Sequence, residues 1–552
     1  MDERGPALTV PSAGRLRRPA SVRWGRGVLA FVPLSFLALF FAYPVASLLG
    51  IGFGEGSPGK LLASPGVRHV LWFTVWQAVA STVLTVLIAL PGAAMLARYR
   101  LPGRALLKAL VIVPFVLPTV VVGAAFLALI GPDGLLGVEL DRTVWAILAA
   151  HVFFNYAVVV RLVGGVWAQL DRRQEEAARV LGASRLAAFR RVTLPALRPA
   201  IAAAASVVFL FTFTSFGIVQ ILGGPEYATL EVEIYRRTVY QLDLSGAAVL
   251  SLVQFAAVAV LLAVDGLLTG RRRAARLAEP TPRPPRGWGE WTFVGINLVV
   301  LVGLLLIPLA VLVERSFATA DGYGLTYWRA LGHADASSAL PVPAWETVLT
   351  SLRYAVAATV IAVVVGVCAA VVLARPGRLT GPFGLLLMLP LGTSAVTVGF
   401  GFLIALDEPP LDLRDSALLV PCAQALVAVP FVVRAVLPVL RAIDDRLREA
   451  AAVLGAPPLQ VWWRVDAPLI WRPLAAAAGF AFAISLGEFG ATVFIARGDS
   501  PTIPVAISQL LGRPGAINSG QAMALATILM VVCAATLITL DRLRPSNAGG
   551  EL

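Results

Sequence analysis

The chain has 552 residues, of which 58% are hydrophobic and only 14% charged, and its net charge is +13. Its mean hydropathy is +0.82. Soluble domains carry about 25% charged residues, so this composition excludes an ordinary soluble domain. The apolar residues form blocks of about 20, the length that crosses hydrocarbon as a helix. We therefore predict an all-α integral membrane protein.

Twelve apolar blocks follow one another along the chain. We predict about 12 transmembrane helices, near 28–50, 69–97, 105–130, 143–167, 199–222, 244–268, 292–313, 346–374, 381–406, 415–440, 473–496 and 518–540. A basic, Pro-rich stretch separates the sixth block from the seventh and is predicted to be a cytoplasmic linker. The predicted organisation is a tail at 1–27, a helix and loop at 28–68, a domain at 69–268, a linker at 269–291, a helix and loop at 292–345, a domain at 346–540 and a tail at 541–552.

Arginines concentrate in the loops that follow even-numbered spans. The positive-inside rule places such loops in the cytoplasm, which predicts a multi-pass protein of the cell (plasma, or inner) membrane with both termini cytoplasmic. The opposite loops are acidic or mixed, as at Asp407, Glu408 and Asp412. The positive charge is thus explained by topology and contact with the lipid bilayer, and no nucleic-acid partner is expected.

One motif occurs twice, 273 residues apart. The segment 176–182 reads Glu-Ala-Ala-Arg-Val-Leu-Gly, and 449–455 reads Glu-Ala-Ala-Ala-Val-Leu-Gly. Other pairs keep the same offset or one of 276: Ser215-Phe216-Gly217 with Glu488-Phe489-Gly490, Thr229-Leu230 with Thr502-Ile503, Pro114 with Pro390, and Gly123 with Gly399. Six spans per half preserve orientation, so we predict two parallel six-helix repeats.

The spacing within the motif favours a short helix, a turn and a return into the membrane. Alanine is the best helix former, and glutamate suits a first helical turn. Glycine permits a positive φ, and a proline 13 positions later suits the start of a helix. Small alanine side chains let such a helix enter a groove on a partner. An amphipathic helix lying on lipid headgroups is the alternative, and two copies in register argue against it.

The paired motif resembles the cytoplasmic signature of permeases of binding-protein-dependent, type I ABC importers. The resemblance covers about residues 70–268 and 346–540, so both domains are expected to be permease (ABC transmembrane type-1) domains. It implies two copies of a cytoplasmic ABC ATPase and an extracytoplasmic solute-binding protein as partners. The implied ATPase-docking positions are Glu176, Ala177, Ala178, Gly182 and Pro195, with Glu449, Ala450, Ala451, Gly455 and Pro468.

The chain itself has no nucleotide-binding loop. Such a loop needs Gly-x-x-x-x-Gly-Lys-Ser/Thr, and the two lysines, Lys60 and Lys108, lie in other contexts. We therefore predict a permease subunit that is not an enzyme and has no cofactor of its own. ATP and Mg belong to the partner subunit.

Polar or kinking residues inside apolar spans are the candidates for a translocation path. Glu488 is the clearest, and we predict that it faces Ser215 and Phe216 between the halves. The alternative is a helix-packing carboxylate that is paired with an arginine or held near the cytoplasmic mouth. Pro114, Pro118 and Pro390 are expected to break or kink spans three and nine, either to line a cavity or only to shape helix packing. The other candidate in this set is Phe489. His151 and Asn155 favour hydrogen bonds between helices over a metal site. Glu231 and Glu233 are assigned to a solvent loop, with contact to a docked binding protein as the alternative.

The small-molecule substrate is ranked by resemblance. The segments 212–217, 222–225 and 229–235 resemble thiamine permeases, whereas Gly487-Glu488-Phe489-Gly490 also resembles sulfate and molybdate permeases. Fused two-half permeases of this size resemble the thiamine and ferric-iron branches. We therefore expect import of thiamine or a thiamine phosphate by alternating access, then ferric iron, then an oxyanion. An ion-coupled secondary transporter is the alternative class.

Overall fold

The computed structural model describes residues 20–54, 57–132, 134–269, 282–333, 339–375, 380–407 and 411–543, and it is almost entirely helical there. The first half contains α1 Ala20–Leu37, α2 Tyr43–Gly54, α3 Pro58–Ala63, α4 Pro65–Arg98, α5 Arg104–Val116, α6 Thr119–Ile130, α7 Val144–Ala168, α8 Arg172–Val180, α9 Arg185–Ala188, α10 Leu194–Phe213, α11 Gly217–Leu222, α12 Leu230–Arg236 and α13 Leu244–Thr269. Its π-helical turns are Ala38–Ala42, Phe189–Thr193 and Arg237–Gln241.

The second half repeats much of this order. It contains α14 Gly287–Leu305, α15 Ile307–Arg315, α16 Thr326–Ala330, α17 Ala344–Ala374, α18 Thr380–Met388, α19 Ala395–Ala405, α20 Leu419–Ala442, α21 Asp445–Val453, α22 Pro458–Val461, α23 Ala467–Gly487, α24 Thr492–Ile495, α25 Ile503–Leu511 and α26 Ala516–Leu543. A 3-10 turn covers Leu389–Gly392, a π-helical turn covers Trp462–Asp466, and β1 Ala318–Thr319 pairs with β2 Gly322–Tyr323 in an antiparallel hairpin.

The all-α membrane class is confirmed, but the count of continuous spans is lower than predicted. Within the described ranges, ten helices are long and apolar enough to cross a membrane. The other two predicted spans, 105–130 and 381–406, are broken rather than continuous. The first is α5 and α6, bent by 102°. The second is α18, the 3-10 turn and α19.

The two breaks fall at matching positions of the halves. The helix after the break starts at Thr119 in the first half and at Ala395 in the second, an offset of 276. Pro118 forms the N-cap of α6, and Pro390 lies in the 3-10 turn. Pro114, by contrast, lies within α5 without ending it. The predicted interruption of both spans is confirmed, and proline supplies it by lacking an N–H and disfavouring helix before it.

The halves also exchange their leading helices. At the start of the chain, α1 packs on α17 and α2 packs on α19, both in the second half. In return α14 packs on α4 and α15 packs on α6 in the first half. Within each half, the extensive packing of α4 on α7 and of α17 on α20 forms the centre. The two halves therefore form one interlocked body.

The crossing of α4 and α7 requires a glycine. A Cβ added at Gly92 would lie 2.0 Å from the Tyr156 hydroxyl oxygen, whereas one added at Gly295 in α14 would meet nothing within 4 Å. We predict that Gly92→Val lowers stability by roughly 1–3 kcal/mol, because overpacking forces backbone and side chains apart. Thermal unfolding of the detergent-purified protein would measure this, with Gly295→Val as the control; equal effects of the two variants would contradict it.

Candidate functional site

Two short helices between long spans, α8 and α21, have nearly identical ends. The Asp171 carboxylate accepts a hydrogen bond from Arg173 N at 2.9 Å, and Asp444 accepts one from Arg446 N at 3.0 Å. Both helices stop at a glycine in the left-handed region, Gly182 with φ 90° and Gly455 with φ 83°. Matching backbone bonds of 3.0 Å, Ala183 N to Ala178 O and Ala456 N to Ala451 O, close each end. This is a Schellman-type stop, which glycine makes without strain.

The tips of these loops expose apolar side chains. Val180 and Leu181 are each 88% exposed, and Val453 and Leu454 are 86% and 87% exposed. Leu186 and its match Leu459 are also exposed. The predicted docking residues Glu176, Ala177, Gly182, Glu449, Ala450 and Gly455 are exposed as well, while Ala178 and Ala451 are half-buried. An apolar tip with a polar rim, repeated on both loops, is typical of a protein-binding surface.

The two loops are braced by ion pairs of opposite arrangement. In the first, Glu175 accepts from Arg98 of α4 and from the Thr193 hydroxyl. In the second, Arg448 stands where Glu175 stands and donates to Asp466 at 2.8 Å. Burial alone would lower the pKa of Arg448, but the carboxylates of Asp466 and Asp445 outweigh it and raise that pKa. The repeat thus keeps the brace while reversing its charges.

The chain returns toward the bundle earlier than predicted. Pro195 and Pro468 lie in the first turns of α10 and α23, but helix has already begun at Arg185 and Pro458. The π-helical turns Phe189–Thr193 and Trp462–Asp466 join the two parts. A π turn alters the i→i−4 ladder just where proline cannot donate. Each helix is therefore continuous from the docking loop into the membrane.

At their other ends, α10 and α23 stop at two matching turns. We call residues 214–230 and the matching residues 487–503, which begin where each helix ends, the gate segments. Phe216 and Phe489 stack across the halves with ring centroids 5.0 Å apart. Tyr235 packs edge-on against Phe216 and against Phe494 of the second half, both at 5.5 Å. The gate segments therefore meet through aromatic rings.

Glu488 does not face Ser215 as predicted. Its carboxylate accepts hydrogen bonds from Ala491 N at 2.7 Å and Thr492 N at 3.0 Å, and from the Thr492 hydroxyl. It therefore caps the turn of its own gate segment, an arrangement that differs both from the predicted contact with Ser215 and from the alternative of an arginine-paired carboxylate. The neighbouring Phe489 is the residue that reaches the other half.

Ser215 is engaged by His151 instead. The His151 ring pairs through Nε2 with the Ser215 hydroxyl at 2.8 Å and through Nδ1 with the Ser81 hydroxyl at 2.9 Å. Asn155 donates to the His151 carbonyl oxygen at 3.0 Å. The predicted hydrogen bonds between helices are therefore made by His151, whereas Asn155 bonds within its own helix α7. His151 ties α4 and α7 to the first gate segment.

Hydroxyl groups hold the far ends of both gate segments. Leu230 N donates to the Thr74 hydroxyl oxygen at 2.9 Å, and Ile503 N donates to Ser351 at 2.7 Å. In the first half, the Thr229 hydroxyl also donates to the Ser215 carbonyl oxygen at 3.0 Å. The first N–H groups of a helix have no partner within that helix. At the recurring pairs Thr229-Leu230 and Thr502-Ile503, such an N–H donates to a hydroxyl group on another helix.

Glycines let the gate segments approach the broken helices. A Cβ on Gly217 would lie 2.4 Å from the Thr119 hydroxyl oxygen, and one on Gly490 would lie 2.9 Å from Ala395 Cβ. Thr119 and Ala395 are the first residues after the two breaks. The broken spans and the gate segments therefore form one packed unit in each half.

One buried acidic residue was misplaced by the sequence reasoning. Glu231, assigned to a solvent loop, is only 2% exposed and accepts from the Gln254 amide at 2.7 Å. Glu233 pairs with Arg237 at 2.8 Å. The burial of Glu231 is indicated in the sequence only by its helical spacing from Tyr235, which puts both residues on one face of α12.

This architecture defines a class. Two matching exposed loops, two broken spans and two matching gate segments on a repeated helical bundle are the features of a two-half membrane permease. Residues 89–274 and 362–546 both match the family described as "Binding-protein-dependent transport system inner membrane component". The chain belongs to this family of ABC importer permeases and is a multi-pass inner membrane protein.

Relatives in other organisms share nearly the whole chain. The protein is 30% identical over 533 residues to the "Thiamine transport system permease protein ThiP" of Brucella abortus (strain 2308), covering 93% of this chain and 95% of that one. It is 30% identical over 507 residues to the ThiP of Escherichia coli (strain K12), covering 87% and 89%. It is also 25% identical to the "Probable ABC transporter permease protein y4fN" of Sinorhizobium fredii (strain NBRC 101917 / NGR234), covering 94% and 95%.

The close approach of the two halves at Gly487 can be tested by substitution. A Cβ there would lie 2.8 Å from the Pro118 ring of the other half, whereas one on Gly498, later in the same segment, would meet nothing within 4 Å. We predict that Gly487→Val abolishes transport, because the halves can no longer close. Uptake and the amount of protein in the membrane would be measured together, with Gly498→Val as the control. Full uptake by Gly487→Val would contradict the close approach.

Proposed function

We propose that this chain is the permease of an ATP-driven thiamine importer, moving thiamine or a thiamine phosphate into the cytoplasm by alternating access. The observation that carries the proposal is the pair of matching docking loops joined by continuous helices to the gate segments. Similarity to relatives named for thiamine transport supports thiamine as the substrate in preference to ferric iron or an oxyanion.

The docking loops suit two copies of one ATPase. Their end geometry and exposed apolar tips match residue by residue, so the same groove on each ATPase can receive either loop. We propose that Glu176 to Gly182 and Glu449 to Gly455 enter these grooves, with both termini in the cytoplasm. ATP and Mg bind to the ATPases, and closure of the ATPase pair draws the loops together.

The gate segments suit alternating access. Phe216 and Phe489 close the gap between the halves in this conformation, at the ends of α10 and α23. The helices that join the docking loops to the gate, Arg185–Phe213 and Pro458–Gly487, have 29 and 30 residues. At 1.5 Å per residue each is roughly 45 Å long, so the gate lies across most of the bilayer from the docking loops. We propose that movement of the loops separates the aromatic pair and opens the path toward the external solute-binding protein.

Uptake of labelled thiamine tests the substrate. Cells with and without this chain, keeping its native partners, would be given labelled thiamine and, separately, labelled ferric iron. We expect thiamine uptake to be lost without the chain and iron uptake to be unchanged. Loss of iron uptake alone would overturn the substrate, and loss of neither would move the search to oxyanions.

A double substitution tests the docking role. Gly182→Val with Gly455→Val places β-branched residues at positive φ, at a cost of roughly 1–3 kcal/mol each, and adds bulk at an exposed tip. We predict that transport is abolished and that the ATPase no longer co-purifies, while the permease remains folded. Size-exclusion chromatography checks folding, and Gly50→Val, which meets nothing within 4 Å, is the control. Normal uptake by the double variant would disprove docking.

A further inference from the structure

Glu231 lies on α12, which packs against the second half and also carries Tyr235 of the aromatic cluster at the gate segments. It precedes Tyr235 by four residues on α12, and side chains so spaced are neighbours on one helical face. Tyr235 reaches Phe216 of its own half and Phe494 of the other. The helix α12 packs on α19, and the Ser394 hydroxyl at the start of α19 interacts with the Glu231 carboxylate.

This carboxylate has unused capacity for a partner. Its neighbours are the Gln254 amide and the Ser394 hydroxyl, and among the described residues no arginine, lysine or histidine forms an ion pair with it. A carboxylate offers about four acceptor positions. The Oε1 atom of Gln254, a residue 1% exposed, is also without a hydrogen-bond partner in the described structure. Glu488 differs, because three local donors already satisfy it.

The fold itself does not require an acid at this position. At the offset of 273 the second half has Pro504 in place of Glu231 and Ser508 in place of Tyr235, yet α25 begins with the same hydroxyl-held N–H. A buried carboxylate is costly unless it is paired. Glu231 is therefore an addition to one half that the repeat's architecture does not explain.

A carboxylate beside several aromatic faces recognises organic cations. Burial favours the neutral acid while the site is empty. A cation bound beside it favours loss of the proton and then gains the Coulomb attraction, and the faces of Tyr and Phe rings attract a cation through their quadrupoles. Flat cationic heterocycles gain from both. The rings available here are Phe216, Tyr235, Phe489 and Phe494.

We propose that Glu231 and the aromatic rings around Tyr235 form a binding site in the gate for a cationic, ring-bearing substrate. This inference rests on the proposed import function and adds the chemical class that the permease itself selects. Glu231 is then a specificity-determining residue, and its side chain contacts the positive group as the halves separate.

Ligand-induced stabilisation of the purified permease–ATPase complex tests the site. Thiamine, benzyltrimethylammonium and its neutral isostere neopentylbenzene would be added in turn, and Tm recorded. We expect both cations to raise Tm of the wild type, because a ligand that binds the folded state stabilises it. Glu231→Gln keeps the size and one acceptor oxygen but cannot become negatively charged, and it should lose the cation-induced rise. Glu233→Gln, on the same helix, is the matched control and should keep it.

The outcomes separate this site from the transport function. Equal Tm rises in wild type and Glu231→Gln, an equal rise with neopentylbenzene, or no rise in the wild type would overturn the cation site. A rise with benzyltrimethylammonium but not thiamine would retain the site and overturn the proposed substrate.

In cells, thiamine uptake by Glu231→Gln should fall roughly tenfold or more, as expected for a lost charged contact. Uptake equal to that of Glu233→Gln would contradict the proposal.

Discussion

Backbone N–H and C=O groups inside a membrane bundle must find partners within the protein, and the gate depends on this constraint. Non-helical backbone at membrane depth is tolerated only where protein or a cavity surrounds it. The gate segments leave helical pairing at two turns, so other groups must satisfy the freed atoms. Thr74 and Ser351 accept from the N–H groups at the far ends, and Glu488 accepts from two more. These polar residues are therefore needed, before any other role, for the chain to form its turns at the gate segments.

The repeat preserves geometry more strictly than chemistry. Gly182 and Gly455 have nearly the same φ, and the first residues after the two helix breaks touch matching glycines. The brace of the docking loop, in contrast, is built from Glu175 in one half and Arg448 in the other. Backbone conformation and close approach leave few residue choices, whereas an ion pair works with its charges reversed. At Glu231 the halves differ in another way, because the second half has no acidic residue at the matching position and no ion pair among the described residues accounts for the charge in the first. A role other than folding has to be sought for such a residue.

The sequence was sufficient for features that depend on short-range patterns. Hydropathy located the spans, and the fixed offset of Gly182 and Gly455 identified the repeat and both docking loops. The ends of α10 and α23 were missed, because Phe216, Ile218 and Val219 continue the apolar run through the turn and hide it. Glu231 was misplaced because an acidic residue after a Gly-Pro turn is ordinarily solvated. Its burial depends on Ser394 and Gln254, whose approach is set by the packing of the two halves and leaves no local pattern.

In each half, one continuous helix connects the docking loop to the gate segment. The helix that begins at Arg185 ends at Phe213, two residues before Ser215, and the one that begins at Pro458 ends at Gly487, beside Glu488. Such a helix transmits displacement along its length, because its backbone hydrogen bonds resist bending. The π-helical turns at Phe189–Thr193 and Trp462–Asp466 interrupt the regular i→i−4 hydrogen bonds of these helices. They lie at the end of each helix that is nearer the docking loop. π-helical turns inside α-helices are often found at functional sites, and in the proposed transport cycle they are the points at which each helix would change its angle to the docking loop. In that cycle the Phe216–Phe489 contact at the far ends is the part of the structure most directly altered when the loops move.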